Sequence, residues 1–230
     1  MAGGGVLVAG GTGALGAAVT GALLDAGYEV TATWIDRQDR DAAREAVGDP
    51  DGLTLLEADL TDPAATEAAV AAVDSLHAVV NLVGGYSGGA KVHEADLADL
   101  DRMLAINLRP GFLLARAAMP RLAASGGGAF VGVSARAALD GSPGAAAYAA
   151  AKAGVLAFVR SIDAEYRDAG VRCNAILPSV IDTPANRAAM PNSDHSRWVA
   201  PAAIARVVSF LVSDESVAIS GAAVPVYGRS

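Results

Sequence analysis

Tyr148 and Lys152 are the residues of this sequence whose types and spacing most directly indicate acid–base chemistry. In a helix, side chains four positions apart lie on one face, with their Cβ atoms ~5–6 Å apart. An ammonium group so near a phenol is predicted to lower the pKa of Tyr148 below its ordinary value of about 10. Such a tyrosine can give or accept a proton near neutral pH, as general acid–base catalysis requires. Because this spacing also occurs on ordinary solvated helices, the interpretation depends on the rest of the chain.

A glycine-rich segment near the amino terminus is the second feature with a chemical meaning. It follows a short apolar run, Val6–Ala9, and precedes an alanine-rich stretch with helical character. In that setting glycines allow a tight turn and let a pyrophosphate approach the positive end of a helix. The segment therefore predicts a site for NAD(H) or NADP(H). The expected contacts are Gly10, Thr12, Gly13, Ala14, Leu15 and Gly16.

Apolar runs and amphipathic stretches alternate along the chain. The predicted strands are Val6–Ala9, Val30–Trp34, Leu53–Leu56, Ala78–Val83, Ala129–Val133, Val171–Leu177 and Ala223–Tyr227. The predicted helices are Ala14–Ala26, Arg40–Val47, Ala64–Val73, Asp99–Ala124, Ala145–Ala169 and Pro201–Ser213. Continuous apolar strands separated by helices indicate a mostly parallel sheet covered on both faces. We therefore predict an α/β, doubly wound Rossmann fold with seven strands. Residues 1–230 form one domain, with a cofactor half to about residue 135 and a catalytic and substrate half beyond it.

Composition and charge argue against several classes of protein. The 230 residues are 53% hydrophobic, which suits one α/β domain with a sizeable core. A net charge of −8 without a lysine or arginine cluster argues against nucleic-acid and membrane partners. The single cysteine, Cys173, cannot form an internal disulfide, and no signal peptide is expected, so the predicted location is cytoplasmic. His77, His93 and His195 lack metal-ligand spacing, so no metal is expected.

Polar residues follow two of the predicted strands at their carboxyl ends, where parallel sheets bind ligands. Asp59, beside Leu60, can accept a hydrogen bond from an adenine amino group, but aspartate is also common where helices open, and Thr61 or Asp62 can cap the next helix before Pro63. Asn81 lies shortly before Gly84 and can bond neighbouring backbone, a ligand, or both. We expect these residues to lie close to the cofactor.

Together these motifs resemble the short-chain dehydrogenase/reductase family over nearly the whole chain. The motifs are GGTGALG (10–16), DL (59–60), NLVGG (81–85), Asn107 in AINLRPGFLL, Ser134, YAAAK (148–152), VRCNAILPSVIDTP (171–184) and SGAAVPVYG (220–228). The resemblance implies reversible, NAD(P)(H)-dependent interconversion of a carbonyl and an alcohol, expected mainly as reduction of a small-molecule substrate.

The resemblance also implies roles for the catalytic residues. Tyr148 would donate the proton to the carbonyl, while Lys152 would lower the pKa of Tyr148 and bind the nicotinamide ribose. Ser134 would hold the carbonyl oxygen. Asn107 would anchor a water that relays protons to Lys152. The implied contacts to the nicotinamide carboxamide are Pro178, Ile181 and Thr183.

The sequence departs from the family pattern in several places. Ala9 and Ala14 stand where the main branch usually has threonine and glycine. Ser134 is about one residue farther from Tyr148 than the commonest spacing, which leaves Ser142 as a rival for the serine role. The glycine usual after Pro178 is replaced by serine.

Two segments, AALDGSPG (137–144) and DTPANRAAMP (182–191) followed by Trp198, resemble one member of the family, dihydropteridine reductase. That enzyme reduces a quinonoid pterin, and its relatives typically lack a serine at the position of Ser134. The presence of Ser134 therefore favours carbonyl reduction over the pterin alternative. A third interpretation is a regulator that senses dinucleotides without turnover, but the retained Asn107, Ser134, Tyr148 and Lys152 argue against it.

The end of the second predicted strand is expected to set the choice between NADH and NADPH. The usual acidic position falls on Trp34, with Asp36 and Arg37 just beyond it. Asp36 favours a free ribose and Arg37 a 2′-phosphate, so these opposite charges predict weak discrimination.

The substrate side and the assembly are predicted from loops and helix faces. Tyr86, Met190 and Trp198 are candidate substrate contacts, and residues 185–199 form a candidate lid with a turn at Pro191–Asp194. The helices Asp99–Ala124 and Ala145–Ala169 carry many alanines. The resemblance implies that they pair with a second subunit in a homodimer or homotetramer.

Overall fold

The structure, a computed structural model, describes residues 3–48 and 50–229. The strands are β1 (Gly5–Ala9), β2 (Glu29–Trp34), β3 (Leu53–Glu57), β4 (Leu76–Asn81), β5 (Gly128–Val133), β6 (Val171–Pro178) and β7 (Ala223–Val226). The helices are α1 (Ala14–Asp25), α2 (Arg37–Val47), α3 (Pro63–Ala71), α4 (Leu97–Asn107), α5 (Arg109–Ala124), α6 (Ala146–Tyr166), α7 (Pro184–Ala189) and α8 (Pro201–Val212).

The seven strands form one sheet in the order β3-β2-β1-β4-β5-β6-β7, and every pairing is parallel. The predicted doubly wound α/β fold is confirmed, and the sheet is wholly rather than mostly parallel. The strand order reverses between β1 and β4. A crevice therefore opens at the carboxyl ends of these two strands, the usual ligand position in such sheets.

The core lies on both faces of the sheet because successive side chains of a strand point to opposite sides. On one face, Leu7 and Val79 pack under α3, α5 and α6. On the other, Val8 and Val80 pack with residues of α1 and α8. The strands β1 and β4 are buried almost throughout, which explains their continuous apolar sequences.

The predicted helix Asp99–Ala124 is wrong as one element, because the chain forms α4 and α5 with a break at Leu108. Pro110 lies in the first turn of α5, where its missing N–H removes no helical hydrogen bond. This break places Asn107 at the carboxyl end of α4. Smaller differences concern α2, which begins at Arg37 rather than Arg40 because Asp36 caps it, β4, which ends at Asn81 rather than Val83, and α7, a short helix at the start of the predicted lid.

Among the residues that the structure describes, no helix is both long and apolar enough to cross a membrane.

Candidate active site

The glycine-rich turn between β1 and α1 is shaped for close approach by a ligand. Gly10 has a φ of +71°, and its N–H donates to Thr33 Oγ1 at 3.0 Å. A Cβ on Gly16 would lie 2.1 Å from the Gly10 carbonyl oxygen, so only glycine fits there. Gly13 is the N-cap of α1 and makes no side-chain capping bond, which leaves the first turn of the helix free to bind an anion. These features fit the pyrophosphate of a dinucleotide.

The polar residues at the neighbouring strand ends are held by local hydrogen bonds. Asp59 Oδ1 accepts from Thr61 Oγ1 at 2.7 Å and from Thr61 N at 2.9 Å, and these bonds lower the pKa of Asp59. Asp62, one of the two predicted candidates, caps α3, while Leu60 is buried. Asn81 Oδ1 accepts a hydrogen bond from Val83 N at 3.2 Å. Asn81 therefore bonds to neighbouring backbone, which is one of the two roles predicted for it.

Lys152 is almost completely buried on α6, and its position is fixed by the end of β5. The side chain is 5% exposed, and Nζ donates to the Val133 carbonyl oxygen at 3.0 Å. Burial lowers the pKa of Lys152 to about 8. The ammonium has three donors, so this single bond leaves N–H groups for a ribose or a water.

The predicted lowering of the Tyr148 pKa by Lys152 is wrong for this structure. Lys152 Nζ lies 5.9 Å from the centroid of the Tyr148 ring and donates to Val133 instead. Burial, and secondly the neighbouring Tyr86, raise the pKa of Tyr148 to about 12. The helical spacing brings the two residues to one face as predicted, but desolvation outweighs the effect of the ammonium.

Asn107 joins the same site because α4 ends beside the loop that follows β4. Its Oδ1 accepts from Gly85 N at 3.1 Å, while its Nδ2 donates to Gly85 O and to Met103 O, each at 3.0 Å. A Cβ on Gly84 would lie 2.6 Å from Asn107 Oδ1 and 3.1 Å from Lys152 Nζ. Both polar groups therefore face the space above Gly84, and that position requires glycine.

Ser134 follows β5 and bonds to the backbone of α6. Its hydroxyl donates to the Lys152 carbonyl oxygen at 2.7 Å, and the residue is 2% exposed. In this arrangement the hydroxyl proton lies in the hydrogen bond to the Lys152 carbonyl. The hydroxyl would have to rotate before it could donate to a substrate oxygen. Ser142, the rival, is exposed in the turn before α6, where its carbonyl accepts from Ala145 N at 3.1 Å.

The segment after β6 is held by its own contacts. Pro178 ends β6, and Ile181 forms an isolated bridge with Val199. Thr183 Oγ1 accepts from Asn186 N at 3.2 Å and thereby caps α7. Arg187 donates two hydrogen bonds to Asp182, at 2.5 and 2.8 Å, which the sequence did not lead us to predict. The signal in the sequence is the five-residue separation of these opposite charges, but such spacing is common.

Tyr86 is the predicted substrate residue that the structure brings next to Tyr148. The two rings meet edge to face with centroids 5.1 Å apart, and Tyr86 is 65% exposed. Met190 and Trp198 lie within the predicted lid segment, where His195 Nε2 is 2.9 Å from Met190 O and the centroids of the His195 and Trp198 rings are 4.3 Å apart.

The end of β2 carries the predicted cofactor-selecting residues. Trp34 is buried, and the guanidinium of Arg40 lies 4.9 Å from the centroid of its ring. Asp36 Oδ1 accepts from Gln38 N at 2.7 Å and caps α2, while Arg37 is exposed at the first position of that helix.

Cys173 lies in the core on β6, and burial raises the pKa of its thiol to about 12. A thiol with this pKa stays protonated, which fits a side chain that packs in the core. Among the described residues, no group of three or more histidine, cysteine, aspartate or glutamate side chains is arranged to hold a metal ion.

Comparison with known proteins identifies the family. The family model described as enoyl-(acyl carrier protein) reductase matches residues 10–228. The 2-(R)-hydroxypropyl-CoM dehydrogenase of Xanthobacter autotrophicus is 28% identical, over 92% of this chain and 96% of its own. The 3-oxoacyl-[acyl-carrier-protein] reductase MabA of Mycobacterium tuberculosis is 31% identical, over 97% of this chain and 91% of its own.

A solved structure of a short-chain type dehydrogenase/reductase from Mycobacterium ulcerans superposes with a TM-score of 0.91. It is 25% identical and aligns over 98% of this chain and 88% of its own. The chain belongs to the short-chain dehydrogenase/reductase family. It is an NAD(P)-dependent oxidoreductase that interconverts carbonyl and alcohol groups of a small-molecule substrate.

Proposed function

We propose that this protein reduces a carbonyl group, with Tyr148 as the proton donor and Lys152 and Asn107 as its supporting groups. The observation that carries the proposal is the convergence of Asn107 and Lys152 on Gly84, where a Cβ would lie 2.6 Å from Asn107 Oδ1 and 3.1 Å from Lys152 Nζ. Tyr148 and Lys152 share one face of α6, with Lys152 Nζ 5.9 Å from the centroid of the Tyr148 ring.

Each residue has a distinct task in this mechanism. When bound, the nicotinamide supplies the hydride. Lys152 binds the ribose with the N–H groups that Val133 leaves unused, and Asn107 holds a water between its Oδ1 and Lys152 Nζ. Tyr148 gives its proton to the substrate oxygen as charge develops there, and the water and Lys152 return a proton to the phenol.

The pKa of Tyr148 favours the reducing direction. A phenol with a pKa of about 12 remains protonated throughout the physiological range, so Tyr148 begins the cycle as a donor. The reverse reaction needs the phenolate, which burial disfavours.

Two alternatives to simple carbonyl reduction follow from the sequence. Reduction of a quinonoid pterin is favoured by one observation, the engaged hydroxyl of Ser134, because that reaction has less need of an oxyanion-holding serine. A regulator without turnover is disfavoured by the converging Tyr148, Lys152 and Asn107. A cytoplasmic location remains a prediction from the sequence.

The function is tested by following NADH and NADPH oxidation with four substrate classes. These are simple ketones, β-ketoacyl thioesters, quinones and quinonoid dihydropterin. Turnover of a ketone, thioester or quinone is the expected result. Activity with the pterin alone would select the alternative, and dinucleotide binding without any turnover would select the regulator.

The end of β2 predicts weak discrimination between the two cofactors. NADH and NADPH are expected to differ in kcat/KM by less than about a hundredfold, or ~2.7 kcal/mol. Asp36→Asn keeps a capping side chain and removes the charge, so it should move the preference toward NADPH. Arg37→Gln should move it toward NADH. A wild-type preference above a hundredfold would mean that one of these residues dominates.

The exposed face of α4, α5 and α6 predicts a homodimer, or a tetramer built from dimers. Phe112 is 58% exposed and contacts Phe158, while Ala153 and Ala157 on α6 are exposed. Ala115 and Ala118 pack inward, so only part of the predicted small-residue surface is available. Light scattering at micromolar concentration should give at least twice the mass of one chain, and Phe112→Glu should lower it. A wild-type mass of one chain would contradict this prediction.

A further inference from the structure

The end of β5 holds Lys152 at two points. Its main chain accepts a hydrogen bond from Ser134 Oγ at 2.7 Å, and its side chain donates to the Val133 carbonyl at 3.0 Å. Two consecutive residues therefore fix both the backbone and the ammonium of one lysine. These bonds also tie the second turn of α6 to the sheet, and α6 carries Tyr148 as well.

The Ser134 hydroxyl has one proton, and that proton is committed to this contact. The residue is 2% exposed, and its own N–H donates to the Ile176 carbonyl at 2.9 Å, so its backbone is fixed within the sheet. Turning the hydroxyl toward a substrate would break a buried hydrogen bond and leave the Lys152 carbonyl with one donor fewer.

We propose that Ser134 is a positioning residue that holds Lys152 and its helix in place, and that Tyr148 protonates the substrate without help from this serine. This inference rests on the proposed function. It also selects a substrate class. A localised oxyanion gains from a second donor, whose loss costs typically 10²–10³-fold in turnover. A conjugated ring, as in a quinone, spreads the developing charge and needs that donor less.

Tyr86 offers an independent reason to expect a flat substrate. Its ring is largely exposed and stands edge to face against Tyr148, 5.1 Å between centroids. An aromatic ring in this position can stack on a planar substrate as the substrate approaches the phenol. Reduction then adds a hydride to the conjugated system, and Tyr148 adds one proton at oxygen, while the dinucleotide is oxidised.

The test compares Ser134→Ala with Ser161→Ala. Ser161 lies on the exposed side of the same helix, and its hydroxyl donates to the Ala157 carbonyl at 3.0 Å. The control therefore removes a serine-to-backbone bond of the same kind from α6. For each protein, NADH and NADPH dissociation constants are measured from pH 6.5 to 9.5 by nucleotide fluorescence, and kcat/KM is measured with a simple ketone and a para-quinone.

For Ser134→Ala we expect cofactor binding to weaken by about fivefold or more, because a net hydrogen bond that places Lys152 is lost. The pH midpoint of cofactor binding, near the Lys152 pKa of about 8, should shift. Tyr148 is the titratable group facing Lys152, and it stays protonated over this range. The losses in kcat/KM with the two substrates should agree within about twofold, and Ser161→Ala should resemble the wild type.

Unchanged cofactor binding together with a selective loss on the ketone of about 10²-fold would make Ser134 an oxyanion donor and overturn the proposal. The ratio between substrates does not depend on how much enzyme is folded. If Ser134→Ala does not fold, Ser134→Cys, whose thiol is a weak donor, is measured instead and judged by the same criteria.

A wild type that reduces only the quinone fits the proposed substrate class, and the cofactor dissociation constants of Ser134→Ala then decide the role of Ser134. A wild type that reduces neither substrate would contradict the proposed function. The role of Ser134 would still be tested by the effect of Ser134→Ala on cofactor binding.

Discussion

Tyr148→Phe is expected to lower turnover by about 10⁴-fold or more. Proton transfer by a positioned acid is worth typically 10²–10⁴-fold, and the same hydroxyl also binds the developing oxyanion. The substitution keeps the ring, and with it the edge-to-face contact with Tyr86. Cofactor dissociation constants should change little, because the ribose contacts are assigned to Lys152.

Tyr166→Phe is the matched control, since Tyr166 ends the same helix and packs against the core away from the crevice. This control should retain wild-type turnover and cofactor binding. Both variants are assayed with the best substrate from the screen. If Tyr148→Phe keeps more than about a tenth of wild-type turnover, a loss below ~1.4 kcal/mol, then Tyr148 is not the acid.

Lys152→Met is expected to lower turnover by at least about a hundredfold, because the ammonium both binds the ribose and supplies the proton relay. The same substitution should weaken cofactor binding, unlike Tyr148→Phe. Lys91, the other lysine of the chain, is exposed, so Lys91→Met is a matched control that should leave both quantities unchanged. Wild-type cofactor affinity in Lys152→Met would contradict the role assigned to this residue.

Although Lys152→Met should lower turnover, it should raise the free energy of unfolding. The pKa of Lys152 falls from 10.5 to about 8 in the folded protein, so burying the ammonium costs of order 3 kcal/mol at pH 7. Loss of the bond to Val133 offsets ~1 kcal/mol of the gain from removing that charge. Urea unfolding at pH 7 should therefore show a variant more stable than the wild type by ~1–3 kcal/mol.

This difference should shrink as the pH rises from about 8 toward 10.5. In that window the unfolded lysine holds a proton that the folded lysine has lost, so the wild type gains stability with pH while Lys152→Met lacks this contribution. A difference that stays constant from pH 7 to 10 would mean that Lys152 is not desolvated as the structure indicates.

Features that depend on local geometry could be predicted from the sequence alone. The spacing of Tyr148 and Lys152 places them on one helix face wherever that helix packs. The glycines of the first turn mark a backbone path that a Cβ on Gly16 would block, so the dinucleotide motif was visible without coordinates. Alternating apolar strands and amphipathic helices sufficed for the parallel α/β fold, because buried parallel strands must be apolar on both faces.

The pKa values and hydrogen-bond partners of the site residues could be obtained only from the tertiary structure, because they depend on burial and on residues distant in sequence. The Tyr148 pKa rises because packing desolvates the phenol and brings Tyr86 beside it, an effect that helical spacing alone cannot reveal. The hydroxyl of Ser134 donates to the Lys152 backbone, and Asn107 pairs with Gly85, because packing brings β5 against α6 and α4 against the loop after β4. Residue types and spacing indicated which side chains could react. Their hydrogen-bond partners and desolvation, set by long-range packing, decided which protons they hold.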